Sequence, residues 1–148
     1  MRLLTLALLL AACVGAPAPA TIETTTFDPR LNVDLAKSTR TADGLYYRDL
    51  AAGTGAALAN GQLVSVHAVG ALPDYEVFYS NTGTDAPFQF HLGAGDVIPG
   101  WDEGLVGAAV GATRQLIIPP ALGYGSYAIG SIPPNSILVF SVTIVSAQ

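Results

Sequence analysis

From Leu138 to Val145 the side chains sort strictly by parity, with Leu138, Phe140, Val142 and Ile144 on one side and Val139, Ser141, Thr143 and Val145 on the other. An extended backbone, whose successive side chains point to opposite faces, gathers the first set onto one apolar face; a helix would scatter it. A strand of this kind needs partners, and the sequence contains candidates. Val64, Val66 and Ala68 alternate with Ser65, His67 and Val69, Phe88, Phe90 and Leu92 alternate in the same way, and Leu116 and Ile118 do so after Arg114. Leu45 to Leu50 has the composition of a first strand, and Gly53-Thr54-Gly55 and Ala59-Asn60-Gly61 have the composition of turns.

One segment departs from period two. In Asp96 to Leu105, Val97, Trp101 and Leu105 recur at i, i+4 and i+8, which is one face of a short helix. Asp96 is placed to cap its start, and Pro99 is tolerated only in a first turn. A β-rich chain with one short helix over an apolar face is an α+β sandwich of sheet on helix.

Composition narrows the function. A length of 148 residues suits one domain, and 51% apolar residues can fill its core. The net charge of −5 repels phosphate backbones, so nucleic acid is not an expected partner, and no Lys/Arg cluster argues for electrostatic attachment to a membrane. His67 and His91 lack ligand-spaced partners, so no metal site is expected. Ser80, Ser126 and Ser136 have no Gly-x-Ser-x-Gly setting, and Gly93-Ala94-Gly95 is too short for a dinucleotide loop. Asp102 and Glu103 read as a solvated helix face, not as an acid pair.

The N-terminus carries its own signal. Met1-Arg2 precedes an apolar run through Ala12 of signal-peptide length, too short to span a bilayer as a mature helix. Leu10-Ala11-Ala12-Cys13 resembles a bacterial lipobox, in which the Cys13 thiol receives the lipid; Cys13 is the single cysteine. Residues 1–12 are thus expected to be a signal peptide. The alternative is an ordinary secretory leader cut near Ala16 or Ala18. Either reading leaves the exported part without a disulfide. Val14 stands where an inner-membrane retention signal has Asp, so by resemblance the expected location is the outer membrane of a bacterial envelope, facing the periplasm. Residues 13–43 read as a lipid-anchored linker and an extended arm that could lie partly against the domain, which is expected to span 44–148.

The segment His91-Leu92-Gly93-Ala94-Gly95-Asp96-Val97-Ile98-Pro99-Gly100-Trp101-Asp102-Glu103-Gly104 resembles the signature of FKBP-type peptidyl-prolyl isomerases. Val77-Phe78-Tyr79-Ser80, Pro87-Phe88-Gln89-Phe90, Gly123-Tyr124-Gly125, Ile132-Pro133-Pro134-Asn135 and Leu138-Val139-Phe140 follow the family's order and approximate spacing. The resemblance covers roughly residues 44–148. It implies a twisted antiparallel sheet wrapped around one short α-helix, and isomerisation of X-Pro bonds without metal or cofactor. It also implies a site with Trp101 as floor and Phe78, Phe88, Val97, Ile98, Ile132 and Phe140 as walls. The Tyr124 hydroxyl and the Ile98 N–H would each hold a substrate carbonyl, with Phe78, Tyr124 and Phe140 carrying catalysis. Read without the resemblance, these are core positions.

Two positions depart from the family. Ala68 stands where a tyrosine is usual, and Tyr79 where a buried aspartate is usual. Losing both members of one polar network avoids stranding either, at a cost of about 1–3 kcal/mol for a lone survivor. The expectation is a retained proline pocket, with Tyr79 at its edge and turnover reduced. Two readings follow: an enzyme acting on exported, proline-containing chains and open to macrolide inhibitors, or a weakly catalytic module that grips such chains.

Overall fold

The computed structural model describes residues 19–83 and 86–148, so the leader and Cys13 lie outside the described residues. Among the described residues seven strands form one antiparallel sheet: β1 (Thr39–Arg40), β2 (Tyr46–Ala51), β3 (Leu63–Ala71), β4 (Val77–Ser80), β5 (Phe88–His91), β6 (Thr113–Ile118) and β7 (Leu138–Ala147). Their order is β1-β2-β6-β7-β3-β4, with β5 also paired to β3. The parity of β7 is kept: Leu138, Phe140, Val142 and Ile144 are buried on the inner face, while Val145 is exposed where the register with β3 slips. One α-helix, α1 (Pro99–Gly104), covers that inner face among the described residues. The sheet and the single short helix make the α+β arrangement expected from the sequence.

The helix can sit this low because two glycines face the sheet. A Cβ at Gly100 would lie 2.7 Å from Ile118 Cγ2, and one at Gly104 would lie 2.6 Å from Leu116 Cδ2. The helix end is then clasped by Arg114 of β6, only 7% exposed. Its Nη1 donates to the carbonyls of Gly104 and Val106 at 3.1 and 3.2 Å. Nε and Nη2 grip the Asp49 carboxylate of β2 at 2.7 and 3.2 Å. One side chain thus satisfies carbonyls that a short helix leaves unpaired and ties them to two strands.

The start of the helix differs from the sequence expectation. Its N-cap is Ile98, in an extended conformation with no side-chain cap, and Val97 precedes the helix. Asp96 does not cap. Its Oδ2 accepts from the His91 backbone N–H at 2.9 Å and lies 3.3 Å from His91 Nδ1. Pro99 sets the first turn, and the chain enters it extended, as the residue before a proline prefers. Asp102 is not merely solvated either. Its carboxylate folds back to accept the N–H groups of Gly93 and Gly95 at 2.8 and 3.0 Å, fixing the turn that leads into the helix.

The other face of the sheet is covered by the arm. Three single 3₁₀ turns, Ile22–Thr24, Pro29–Leu31 and Leu35–Lys37, lead into β1. Ile22 and Leu31 pack with Tyr46, Ala71, Ile117, Ile137 and Val139 in a second apolar cluster. Buried Gln115 donates to the Leu31 carbonyl at 2.7 Å. The Tyr46 hydroxyl donates to Glu23 at 2.8 Å, and the Arg30 guanidinium lies 4.1 Å over the Tyr75 ring. β6 is therefore buried on both faces, with Leu116 and Ile118 inside and Ile117 under the arm.

Candidate active site

Between the sheet and α1 opens a cavity of about 620 Å³, within the range of about 300–1,000 Å³ typical of small-ligand sites. Trp101, the single tryptophan, forms part of its wall with 5% of its surface exposed. The indole packs perpendicular to Phe140 at 5.2 Å, and edge-on to Phe90 and Phe88 at 5.6 and 6.2 Å between centroids. Phe78 meets Phe140 edge-on at 5.5 Å, and Phe88 stacks on Phe90 at 5.9 Å. Trp101 Nε1 is buried without a hydrogen-bond acceptor among the described residues. The cup is lined chiefly by aromatic and aliphatic side chains.

All nine residues expected at the site line this one cavity: Phe78, Tyr79, Phe88, Val97, Ile98, Trp101, Tyr124, Ile132 and Phe140. Periodicity alone could not have placed Phe78 and Tyr79 together, because consecutive strand residues face opposite ways. A β-bulge resolves this. Gly70 pairs with Tyr79 and Ala71 with Val77, which leaves Phe78 as the extra residue and turns both side chains towards the cavity. Gly70 makes room for the Phe78 and Phe140 rings, since a Cβ there would lie 2.5 Å from Phe140 and 2.7 Å from Phe78.

Beyond β4 the edge of β3 is held by a side chain. Asn81 Oδ1 accepts from the Ala68 N–H at 2.7 Å, and Asn81 Nδ2 donates to the Val66 carbonyl at 3.1 Å. The amide extends the ladder across the gap between β4 and β5, and no sequence pattern marked it. Ala68 itself is fully buried on the inner face.

The opposite rim is the segment between β6 and β7. Gly125 donates to the Pro120 carbonyl at 2.9 Å, and Asn135 donates to Gly125 at 2.7 Å, closing the loop that presents Tyr124. At its tip Ile129 and Ile132 exchange backbone hydrogen bonds of 3.0 and 2.8 Å around Gly130, whose φ of 55° is the left-handed conformation such a turn requires. Ile132 is directed inward at 5% exposure, while Ile129 stays on the rim at 45%. Ile129, Gly130 and Ser131 also line the cavity without any sequence signal, and Asp96, expected as a helix cap, lines it too.

Three donors on lining residues have no partner among the described residues: the Tyr124 hydroxyl, the Ile98 backbone N–H and the Tyr79 hydroxyl. Burial pushes the Tyr79 hydroxyl pKa up, which keeps it a neutral donor. Asp96 is the only charged residue lining the cavity among the described residues. Such a site can seat a compact apolar ring and hold flanking carbonyls.

Residues 55–145 match the model of the family described as FKBP-type peptidyl-prolyl cis-trans isomerase. The chain is 45% identical over 109 residues to FK506-binding protein 4 of Neurospora crassa, covering 74% of this chain and 23% of that protein. It is 39% identical over 131 residues to the peptidyl-prolyl cis-trans isomerase FKBP15-3 of Arabidopsis thaliana, covering 87% of this chain and 89% of that one. The crystal structure of FkpA from Escherichia coli superposes with a TM-score of 0.69 at 37% identity, over 76% of this chain and 52% of that one. The chain thus spans about a quarter of the Neurospora relative and nearly all of the Arabidopsis one.

Proposed function

The chain belongs to the FKBP-type peptidyl-prolyl cis-trans isomerase family, and on that footing we propose that its cavity accepts the prolyl residue of an extended polypeptide and eases rotation of the bond before it. The observation that supports this most directly is the opening over Trp101, flanked by the unpartnered Tyr124 hydroxyl and Ile98 N–H.

An X-Pro bond turns over a barrier of about 18–20 kcal/mol that arises from amide resonance. The planar amide is the more dipolar form and is favoured by water. Transfer into an aromatic cup removes that solvation and lowers the climb to the twisted form. As the bond twists, its carbonyl reorients and the nitrogen lone pair localises. Donors already fixed in place stabilise that geometry without reorganisation. Trp101 supports the ring, and Phe78, Phe88, Val97, Ile132 and Phe140 exclude water. The Tyr124 hydroxyl and the Ile98 N–H each hold a carbonyl. Each 1.36 kcal/mol so gained is about tenfold in rate. No step requires a metal or cofactor.

The departures at Ala68 and Tyr79 favour reduced turnover. Ala68 offers no hydroxyl from the fully buried floor of β3, and Tyr79 brings a neutral phenol where the family pattern has a carboxylate. A module that grips proline-containing segments and turns them over slowly is the second reading, carried by this pair. Export to a bacterial envelope on a lipidated Cys13, with anchorage at the outer membrane, rests on the N-terminal sequence pattern alone, and macrolide binding rests on family membership. Proline-limited refolding of a client, run beside suppression of its aggregation, separates the readings. Acceleration at catalytic concentrations supports the enzyme. Suppression that needs stoichiometric protein, with no acceleration, supports the module and refutes the enzyme.

A further inference from the structure

The proline cup carries charge on one side alone. Among the described residues that line it, the single charge is the Asp96 carboxylate on the loop ahead of α1, two residues before the Ile98 N–H. The Asp96 side chain is 44% exposed and held in place from one side, because its Oδ2 takes the His91 N–H at 2.9 Å and sits 3.3 Å from His91 Nδ1. Its Oδ1 receives no hydrogen bond from any described residue. Among the described residues no lysine or arginine lines the cavity to neutralise it. Arg114 is committed to Asp49 at the far end of α1, Arg30 to Asp28, and Arg40 to Glu23.

From this arrangement we infer that Asp96 is a specificity residue, selecting polypeptides that carry a lysine or arginine beside the proline on the side held by Ile98. The inference rests on the prolyl-binding reading of the cavity and names the substrate class within it. A peptide whose carbonyl meets the Ile98 N–H runs past Asp96, so a cationic side chain near that carbonyl reaches the open Oδ1. The apolar lining gives the pair less competition from water than a flat surface would, while the partial exposure keeps the charge from being costly to maintain. An acidic side chain at the same place meets like charge and is disfavoured.

The test is a set of matched peptides with lysine, norleucine or glutamate placed before or after one proline, assayed at low and high salt with the full chain and with Asp96→Asn. Asparagine keeps an acceptor for the His91 N–H, so the loop geometry is retained. The expected result is a lysine-to-glutamate ratio of kcat/KM of about threefold or more at one of the two positions. The ratio approaches one in Asp96→Asn and in 0.5 M salt, with norleucine between. If the neutral peptide is not turned over, the prolyl-isomerase reading fails by itself. The same series is then read as binding, through the fluorescence of Trp101, where the charge order and its loss in Asp96→Asn are still expected. A ratio near one at both positions in the unaltered chain, or a preference that persists in Asp96→Asn, overturns the inference. Should Asp96→Asn fold poorly, the salt dependence of the unaltered chain decides: a preference unchanged by salt overturns it.

Discussion

Gly70 offers the sharpest separation of pocket from fold. Its φ lies outside the left-handed region, so alanine is compatible with the backbone, and relief of unfolded-chain entropy contributes about 0.4–1 kcal/mol of stabilisation. Against this, the new Cβ would lie 2.5 Å from Phe140 Cε1, and 2.7 and 2.9 Å from Phe78 Cε2 and Cζ. Phe140 is only 4% exposed and pinned against Trp101, so it has little room to give. Phe78 is partly exposed and borders the cavity, so its ring swings into the space a proline would occupy. Overpacking costs about 1–3 kcal/mol, which leaves Gly70→Ala about 1–2 kcal/mol less stable. The larger effect is on kcat/KM for a short X-Pro peptide, expected to fall at least tenfold, or about 1.4 kcal/mol of transition-state stabilisation. Gly61→Ala is the control. It meets nothing within 4 Å but sits at φ +92°, so it costs a comparable amount of stability through backbone strain alone and leaves kcat/KM unchanged. Urea unfolding and peptide isomerisation measured on both variants decide. Retention of kcat/KM within twofold in a folded Gly70→Ala protein would refute this account of the bulged wall.

Tyr124→Phe removes the free hydroxyl and little packing, so kcat/KM falls about three- to tenfold while the urea midpoint holds. A fall in stability with no kinetic change would contradict the role. Arg114→Met leaves the carbonyls of Gly104 and Val106 without their donor, while the partly exposed Asp49 carboxylate returns to water; a loss of about 1–3 kcal/mol in urea unfolding is expected, with lysine recovering little because it cannot fork. Glu23 is held at about 2, down from 4.5, first by its own backbone N–H and then by the Tyr46 hydroxyl, and Asp28 at about 2, down from 3.8, first by the Arg30 side chain. Both folded values lie below the unfolded ones, so their support for the arm is complete above pH 4.5 and is lost as pH falls towards 2. Hydrogen exchange should show the 22–31 segment opening over that window, and uniform protection of that segment down to pH 2 would refute the linkage. Removal of residues 1–43 uncovers Ile117, Val139 and Ile137, and is expected to lower the melting temperature and create dye-binding apolar surface.

What the sequence revealed, and what it hid, follows from the range of the forces involved. Strands β3, β5, β6 and β7 were legible because a half-buried extended chain must alternate. The nine cavity residues were legible through a family pattern, since Trp101 and Phe140 read as core by periodicity and are in fact nearly buried. The bulge at Phe78 was not legible, because it is a register choice made by β3 across the sheet. Asp96 sat where a cap belongs, yet its carboxylate found His91 instead, a contact made by the fold of the loop. Asp102 looked solvated because backbone donors seven and nine residues away leave no mark on local pattern. The arm had no periodicity to read. Its anchoring residues, Ile22 and Leu31, sit on separate single turns, and their partners lie far along the chain on β2, β6 and β7.

A cup over Trp101 that lowers the barrier of an X-Pro bond must change how fast that bond turns. Exchange spectroscopy of a short X-Pro peptide, with the protein present at a few per cent of the peptide concentration, measures that barrier directly. Cis–trans exchange far faster than the uncatalysed tens of seconds is expected, slowed when Tyr124→Phe replaces the unaltered chain. Peptide resonances that shift on binding to the cup while exchange stays at the uncatalysed rate would contradict it.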